Sequence, residues 1–180
     1  DLDFGLFNIF NSMFATPDSL EARKGGLKKV KGIYGYTNRA FIETHFEIKN
    51  VKNDVLFGRE YSSIGYGKFS SLLLGKDSRP FDQFSWRLNY RNIFGSVGVI
   101  QLENWPQGYF GPNKRYLSYH TFGFSNEKIS ITLGESILFT GVGRSLEWQY
   151  LNPVLFWVPE MVNNTTGDGN GILYGGFKYS

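Results

Sequence analysis

The chain has no cysteine among its 180 residues. A disulfide framework, a thiol nucleophile and a cysteine-ligated metal are therefore excluded. Histidine is nearly as scarce, since only His45 and His120 are present, and neither has a second ligand at the spacing of a metal site. We therefore expect neither a metal nor a cofactor.

Long hydrophobic runs are missing too. No segment approaches the roughly 18 consecutive apolar residues that a membrane-spanning helix requires. The mean hydropathy of the chain is -0.28. This test does not detect a transmembrane β-strand, because its side chains alternate between lipid and lumen and their hydropathy averages to mild polarity.

The chain also lacks a large excess of charge of one sign. Lysine and arginine total 19, aspartate and glutamate total 16, and the formal net charge is only +3. An excess this small and this evenly spread does not indicate a nucleic acid as partner.

Aromatic residues and glycine are abundant by contrast, with 17 Phe, 11 Tyr, 4 Trp and 22 Gly. Their clearest arrangement is the alternation in 129–139, where every second residue is apolar except Glu135. A period of two residues indicates a β-strand with one apolar side. A bulge at Gly134 is expected to turn Glu135 to the other side.

A second alternating tract covers Phe84 to Arg91. One side carries Phe84, Trp86, Leu88 and Tyr90, and the other carries Ser85, Arg87, Asn89 and Arg91. A wall between lipid and a wet lumen needs this contrast. We predict an antiparallel meander with strands near 84–91, 94–104, 114–125 and 129–139, and tight links at Asn38-Arg39 and Asn126-Glu127.

One segment departs from the β rhythm. Asn152 is a good helix N-cap and Pro153 suits the first helical position, while Pro159 limits the length. The sequence therefore predicts a short helical insertion near 152–158, held against the lumen or an outer loop.

Three segments resemble the Wzi-type capsule-assembly family, and more particularly its relatives in gliding bacteria of the Bacteroidota. They are Gly65–Phe81, similar to a glycine-led SLLLS-D-x-x-x-P stretch, Lys114–His120, similar to KKYMATHH, and Leu146–Phe156, similar to F-E-x-QYLNP-x-x-F. The resemblance covers residues 55–180, in matching order and spacing.

This resemblance implies an outer-membrane β-barrel that holds polysaccharide at the cell surface. We therefore expect an all-β, antiparallel transmembrane barrel or a fragment of one, located in the bacterial outer membrane. Residues 1–180 are expected to form a single barrel segment of a longer chain, because members of that family are much longer. The expected partners are outer-membrane lipid, surface polysaccharide and other envelope proteins.

Sugar-binding residues are predicted from their chemistry, since polysaccharide sites combine aromatic faces with planar polar groups. Arg87, Asn89 and Arg91 present such groups along one strand face. A second set surrounds Trp148 and consists of Arg144, Glu147 and Gln149. The function expected of them is binding without catalysis.

Three alternatives stay open at this point. A porin-like channel for small solutes has the same sequence pattern, and the state of the lumen distinguishes it. A soluble β-sandwich binding module also alternates. An enzyme is the third alternative, because Ser118 and His120 are neighbours on one strand face and suit a nucleophile and its base, although no orienting residue is identifiable.

Overall fold

The computed structural model describes residues 2–16, 27–30, 33–64, 74–75, 78–102, 105–108, 111–142, 144–157, 159 and 169–179. Most of them belong to β-strands. The strands are β1 Leu2–Thr16, β2 Leu27–Val30, β3 Ile33–Ile48, β4 Val51–Glu60, β5 Phe81–Tyr90, β6 Ile93–Gln101, β7 Trp105–Gly108, β8 Gly111–Ser125, β9 Ile129–Val142 and β10 Gly169–Tyr179.

The strands form one antiparallel sheet in the order β1-β3-β4-β5-β6-β8-β9-β10, with β2 paired to β3 and β7 paired to β8. The predicted all-β, antiparallel meander is therefore confirmed. Within the described residues the two outer strands, β1 and β10, do not pair with each other. The sheet is thus open, and its closure into a barrel stays a prediction.

Connections between the strands differ in length at the two ends of the sheet. At one end they are tight. Lys49 and Asn50, with φ of 49° and 67°, join β3 to β4, and Arg91 and Asn92 join β5 to β6. At the other end, 20 residues separate the end of β4 from the start of β5, and 26 residues separate the end of β9 from the start of β10. Short turns at one end and long loops at the other are typical of outer-membrane barrels.

The predicted links have opposite outcomes. Asn126 makes the expected turn, because its side-chain oxygen accepts hydrogen bonds from the backbone N–H groups of Lys128 and Ile129 at 3.0 and 2.7 Å. Asn38 and Arg39 lie inside β3, so a link there was wrong. Pairing with β1, where Arg39 lies opposite Ser12, provides this tract with a backbone partner that the local sequence does not reveal.

The pairing register divides the side chains between two faces, because residues directly opposite each other in an antiparallel pair point to the same side. One face, here called the apolar face, carries Phe7, Ile9, Ile42, Phe57, Trp86, Phe122, Leu133, Leu173 and Phe177. The other, the polar face, carries Asn8, Glu43, His45, Asp54, Ser85, Arg87, Asn89, Ser96, Thr121 and Ser136.

Most large side chains of the apolar face are exposed. Leu173 and Phe177 on β10 are 69% and 70% exposed, and Phe57 on β4 is 66% exposed. Soluble monomers rarely expose a contiguous apolar patch larger than a few hundred Å². Among the described residues no second sheet covers this face, as a soluble sandwich would require.

Glycines on the polar face make room for aromatic rings of the next strand. Phe94 lies opposite Gly123, Tyr119 opposite Gly98 and Tyr174 opposite Gly134. A Cβ on Gly134 would lie 2.3 Å from the Tyr174 ring. Such glycine–aromatic pairs help to set the strand register.

We expect Gly134→Ala to destabilise the fold by about 1–3 kcal/mol, because the added methyl displaces Tyr174 from a tightly packed position. The displacement also breaks the 2.7 Å hydrogen bond between the Tyr174 and Thr121 hydroxyls. Urea unfolding in detergent micelles measures the change. Gly95→Ala is the control, since its Cβ would meet Phe122 at an ordinary 3.5 Å. Equal effects of the two substitutions would contradict the role of the Tyr174 ring.

Residues 144–157, here called the strap, cross the apolar face over β6, β8 and β9. Tyr150 and Trp157 pack in a core with Val99, Ile137 and Phe139 of the sheet. The strap contains a 3-10 helix, Trp148–Leu151, for which Asn152 is the C-cap and Glu147 the N-cap.

The helix predicted near 152–158 was therefore misplaced. Asn152 ends this 3-10 helix. Its side-chain oxygen also accepts a hydrogen bond from Val154 N–H at 3.1 Å, as the oxygen of an N-cap residue does. Helical backbone resumes only at Trp157. The segment packs on the apolar face, where Tyr150 and Trp157 are buried against the sheet. Its predicted position against the lumen or an outer loop stays a prediction, because the sheet is open.

No helix in the described ranges is both long and apolar enough to cross a membrane. The bulge expected at Gly134 is also wrong. β9 pairs without interruption with both β8 and β10 through this region. Glu135 therefore stays on the apolar face, directly opposite His120.

Candidate ligand groove on the polar face

A polar groove of about 180 Å³ lies on the polar face over β3, β4, β5 and β6. Arg87 on β5 and Asp54 on β4 are direct cross-strand neighbours in it, and Ser96 of β6 lies on the other side of Arg87. Its other polar lining residues are Glu43, Tyr61, Ser62, Ser63, Gln83, Ser85 and Tyr119. The alternation of β5 therefore places Arg87, a predicted sugar-binding residue, in a groove that contains both hydrogen-bond donors and acceptors.

The charged residues around Arg87 leave its guanidinium available to bind a ligand. Its neighbour Asp54 is already paired, because Asp54 Oδ1 lies 2.6 Å from His45 Nδ1. Glu43 lies 3.6 Å from the other ring nitrogen of His45. Arg87 is exposed and makes no ion pair within the described part of the chain. A planar guanidinium in this state suits paired hydrogen bonds to hydroxyl or carboxylate oxygens.

One end of the polar face is covered by the connection after β4. Ile64 and Leu74 bridge each other and pack on Ile100, Leu117 and Tyr119 of the sheet. Gln83 beside this cover is buried and donates a hydrogen bond to the Glu60 carbonyl at 2.8 Å. Tyr61, Ser62 and Ser63, which directly precede Ile64, line the groove.

The other two predicted residues of this group have different positions. Asn89 lies on the polar face, two residues from Arg87, opposite Lys52 and Phe94, but it does not line the groove. Arg91 is in the turn after β5 with a φ of 53°, so its prediction as a strand residue on the polar face was wrong. The hairpin turn ends the alternation one residue earlier than the sequence pattern indicated.

The second predicted group lies in the strap, on the opposite face from Arg87. Arg144 Nε donates to Glu147 Oε1 at 2.6 Å, and Gln149 Nε2 donates to Glu147 Oε2 at 3.2 Å. Arg144 also lies over the Phe139 ring, 5.3 Å from its centroid. Trp148 is 80% exposed. These contacts hold the strap together, and the structure does not bring this group near the groove.

Several groove residues were missed by sequence reasoning. Glu43, Asp54 and Tyr119 come from three strands that are far apart in sequence, and only the pairing register brings them beside Arg87. The usable signal was the alternation itself. A strand with polar residues at every second position predicts polar neighbours on the same face of the next strand.

In the part of the chain that the structure describes, the groove offers hydrogen-bonding groups and the Arg87 guanidinium as a cation without an ion pair. Among the described residues, no three His, Asp or Glu side chains are grouped as metal ligands. Hydroxyls of Ser85 and Ser96, the Gln83 amide and the Arg87 guanidinium are groups that bind sugar hydroxyls. Tyr61 adds aromatic surface at the margin.

Comparison of the chain with protein-family models, curated proteins and solved structures gives no match in any of the three.

Proposed function

We propose that this chain forms a wall of an outer-membrane β-barrel and that its polar face holds surface polysaccharide by binding without catalysis. The observation that carries the membrane part is the apolar face, where large aliphatic and aromatic side chains stay exposed on most strands. In water this exposure is unfavourable, whereas in a lipid bilayer it is the favoured arrangement.

Strand length agrees with this placement. β4 and β5 have 10 residues each. At about 3.3 Å per residue and a tilt of about 40°, such strands span about 25 Å, which is the height of the apolar band on barrels. The tight turns would then lie on the periplasmic side, and the long connections and the strap on the outer side.

Charge pairs at the end of the sheet near the long connections fit the outer border of that band. Arg59 forms two hydrogen bonds with Asp82, at 3.0 and 2.6 Å, on the apolar face. Arg39 pairs with Glu60 nearby on the polar face, with Nε donating at 2.8 Å. Ion pairs at this level avoid the hydrocarbon, where an unpaired charge is costly.

The strap also fits an interfacial position. Its outward side chains Trp148, Val154 and Phe156 are exposed and apolar. Part of its polar backbone is satisfied internally, since Tyr150 N–H donates to the Glu147 carbonyl and Trp157 Nε1 donates to the Asn152 carbonyl. Aromatic residues with a satisfied backbone are favoured at the boundary between lipid and water.

The polysaccharide part of the proposal depends on the groove around Arg87 and on the family resemblance. Its mixture of hydroxyl, amide, carboxylate and guanidinium groups suits a ligand rich in hydroxyls. Cover of the polar face by Ile64 and Leu74 favours a partly filled lumen over an open pore. Single contacts of this kind are weak, and repeating units of one polymer would add avidity.

Arg87→Gln is expected to weaken binding of a responsive oligosaccharide roughly tenfold, because a charge-assisted hydrogen bond contributes about 1.5–3 kcal/mol. An array of neutral and uronate-containing oligosaccharides identifies the ligand, and calorimetry measures its Kd. Arg91→Gln is the matched control, since it makes the same change in the turn outside the groove. Equal affinities of the two variants, or ion conductance of an open pore in planar bilayers, would contradict the proposal.

A further inference from the structure

Three polar side chains are buried together on the apolar face. Ser118 and His120 are two residues apart on β8 and therefore point to the same side, and Glu135 of β9 is the direct cross-strand partner of His120. They are 0%, 4% and 2% exposed. His120 Nε2 lies 3.2 Å from Glu135 Oε2. The antiparallel register thus supplies the third residue that could not be identified in the sequence.

Two atoms of this group have no hydrogen-bond partner, namely Ser118 Oγ and His120 Nδ1. Buried polar atoms without partners are rare, because nothing compensates their loss of water. Attachment of the strap needs neither of them, since Glu135 alone accepts the Trp157 backbone N–H, at 2.9 Å. Residues at i and i+2 of a strand are about 6.6 Å apart between Cα atoms, so rotamer changes bring the hydroxyl and the ring nitrogen within reach.

An apolar groove of about 810 Å³ begins at His120 and Glu135. Phe122 and Leu133 of the sheet line one side, and Leu155 and Phe156 of the strap line the other. A mostly apolar groove that contains His120 and Glu135 suits an acyl chain with its carbonyl group beside these two residues.

We propose that Ser118, His120 and Glu135 form a serine-hydrolase site for carboxylic esters of long acyl chains. Ser118 Oγ bonds to the ester carbonyl carbon while its proton passes to His120 Nδ1. His120 then delivers that proton to the alcohol oxygen as the ester C–O bond breaks. A water molecule hydrolyses the acyl-serine in the same way and releases the fatty acid. Glu135, beside Nε2, stabilises the imidazolium formed in each step.

Access to this site is controlled by the strap. The Trp157 ring lies 4.2 Å from the His120 ring between centroids and covers it. Ser118 is fully buried, so the strap has to shift before an ester reaches the hydroxyl. Entry of such esters from a membrane rests on the proposed function, which places the apolar face in lipid, but the chemistry of the three residues does not.

The test is labelling of the full chain in detergent micelles with a fluorescent fluorophosphonate, which reacts with activated serines. We expect labelling that is lost in Ser118→Ala and kept in Ser136→Ala. Ser136 is a matched control, because it is a second fully buried serine without a hydrogen-bond partner, placed on the polar face. Labelling that persists in Ser118→Ala would overturn the proposal.

His120→Asn should slow the labelling about 100-fold or more, as loss of a general base does. Trp157→Phe should accelerate it by loosening the cover, while a far-ultraviolet spectrum reports the fold. Absence of labelling in both the unmodified chain and Trp157→Phe would refute the site. Variants that are labelled should also hydrolyse p-nitrophenyl palmitate in preference to p-nitrophenyl butyrate. A chain that labels but binds no oligosaccharide would refute only the polysaccharide role.

Discussion

Trp157→Ala is expected to lower the free energy of unfolding by about 3–5 kcal/mol, the range for truncating a fully buried aromatic side chain. Trp157 is 0% exposed and packs against both His120 and Tyr150. Its loss leaves a cavity between the strap and the sheet that the neighbouring rings fill only in part. Urea titration in detergent micelles, followed by far-ultraviolet circular dichroism, measures the difference.

Trp148→Ala is the matched control for this measurement. It makes the same substitution within the same strap, at a side chain that is 80% exposed. The expected change in the free energy of unfolding is within about 0.5 kcal/mol in micelles, as for most exposed positions. Comparable losses for the two variants would show that the strap is not held by the core at Trp157.

Leu173→Arg is the second substitution with a large expected effect. Leu173 lies near the middle of β10 on the apolar face and is 69% exposed. An arginine at the lipid-facing midplane of a barrel costs about 2–4 kcal/mol. The same arginine in water costs little, because the position is already exposed. Folding into liposomes, compared with urea-unfolded chain, measures the cost.

Asn170→Arg provides the comparison on the same strand. Asn170 is exposed too, but it lies on the polar face, opposite Leu138 of β9. Its substitution should leave the folding free energy in liposomes nearly unchanged. If Leu173→Arg and Asn170→Arg cost equally little, the apolar face does not contact lipid, and the membrane part of the proposed function fails.

Alternation was the most informative part of the sequence. The tract from Phe84 to Tyr90 and the tract from Ile129 to Phe139 were both predicted as strands with one apolar side, and both are strands with that side. Local patterning suffices there because the side-chain period of a strand follows from backbone geometry alone. The same rule assigned Arg87 and Asn89 to the polar face.

Predictions that depended on distant contacts were less successful. Asn38 and Arg39 look like a turn but lie within β3, and Asn152 looks like an N-cap but ends a helical turn. For Arg39 a partner from elsewhere in the chain, Ser12 of β1, outweighs the local preference. The bulge expected at Gly134 failed for a related reason, since a buried Glu135 is tolerated when His120 faces it and the strap donates to it.

The sequence by itself determined the class of fold and the character of its two faces, because alternation, glycine and aromatic content act residue by residue. Only the tertiary structure decided which side chains meet. Strand register brings Arg87 to Asp54 and His120 to Glu135, and strap packing separates the group around Trp148 from the groove. Register and packing depend on pairings across long sequence distances, and a slip of one residue would exchange the faces without altering the local pattern.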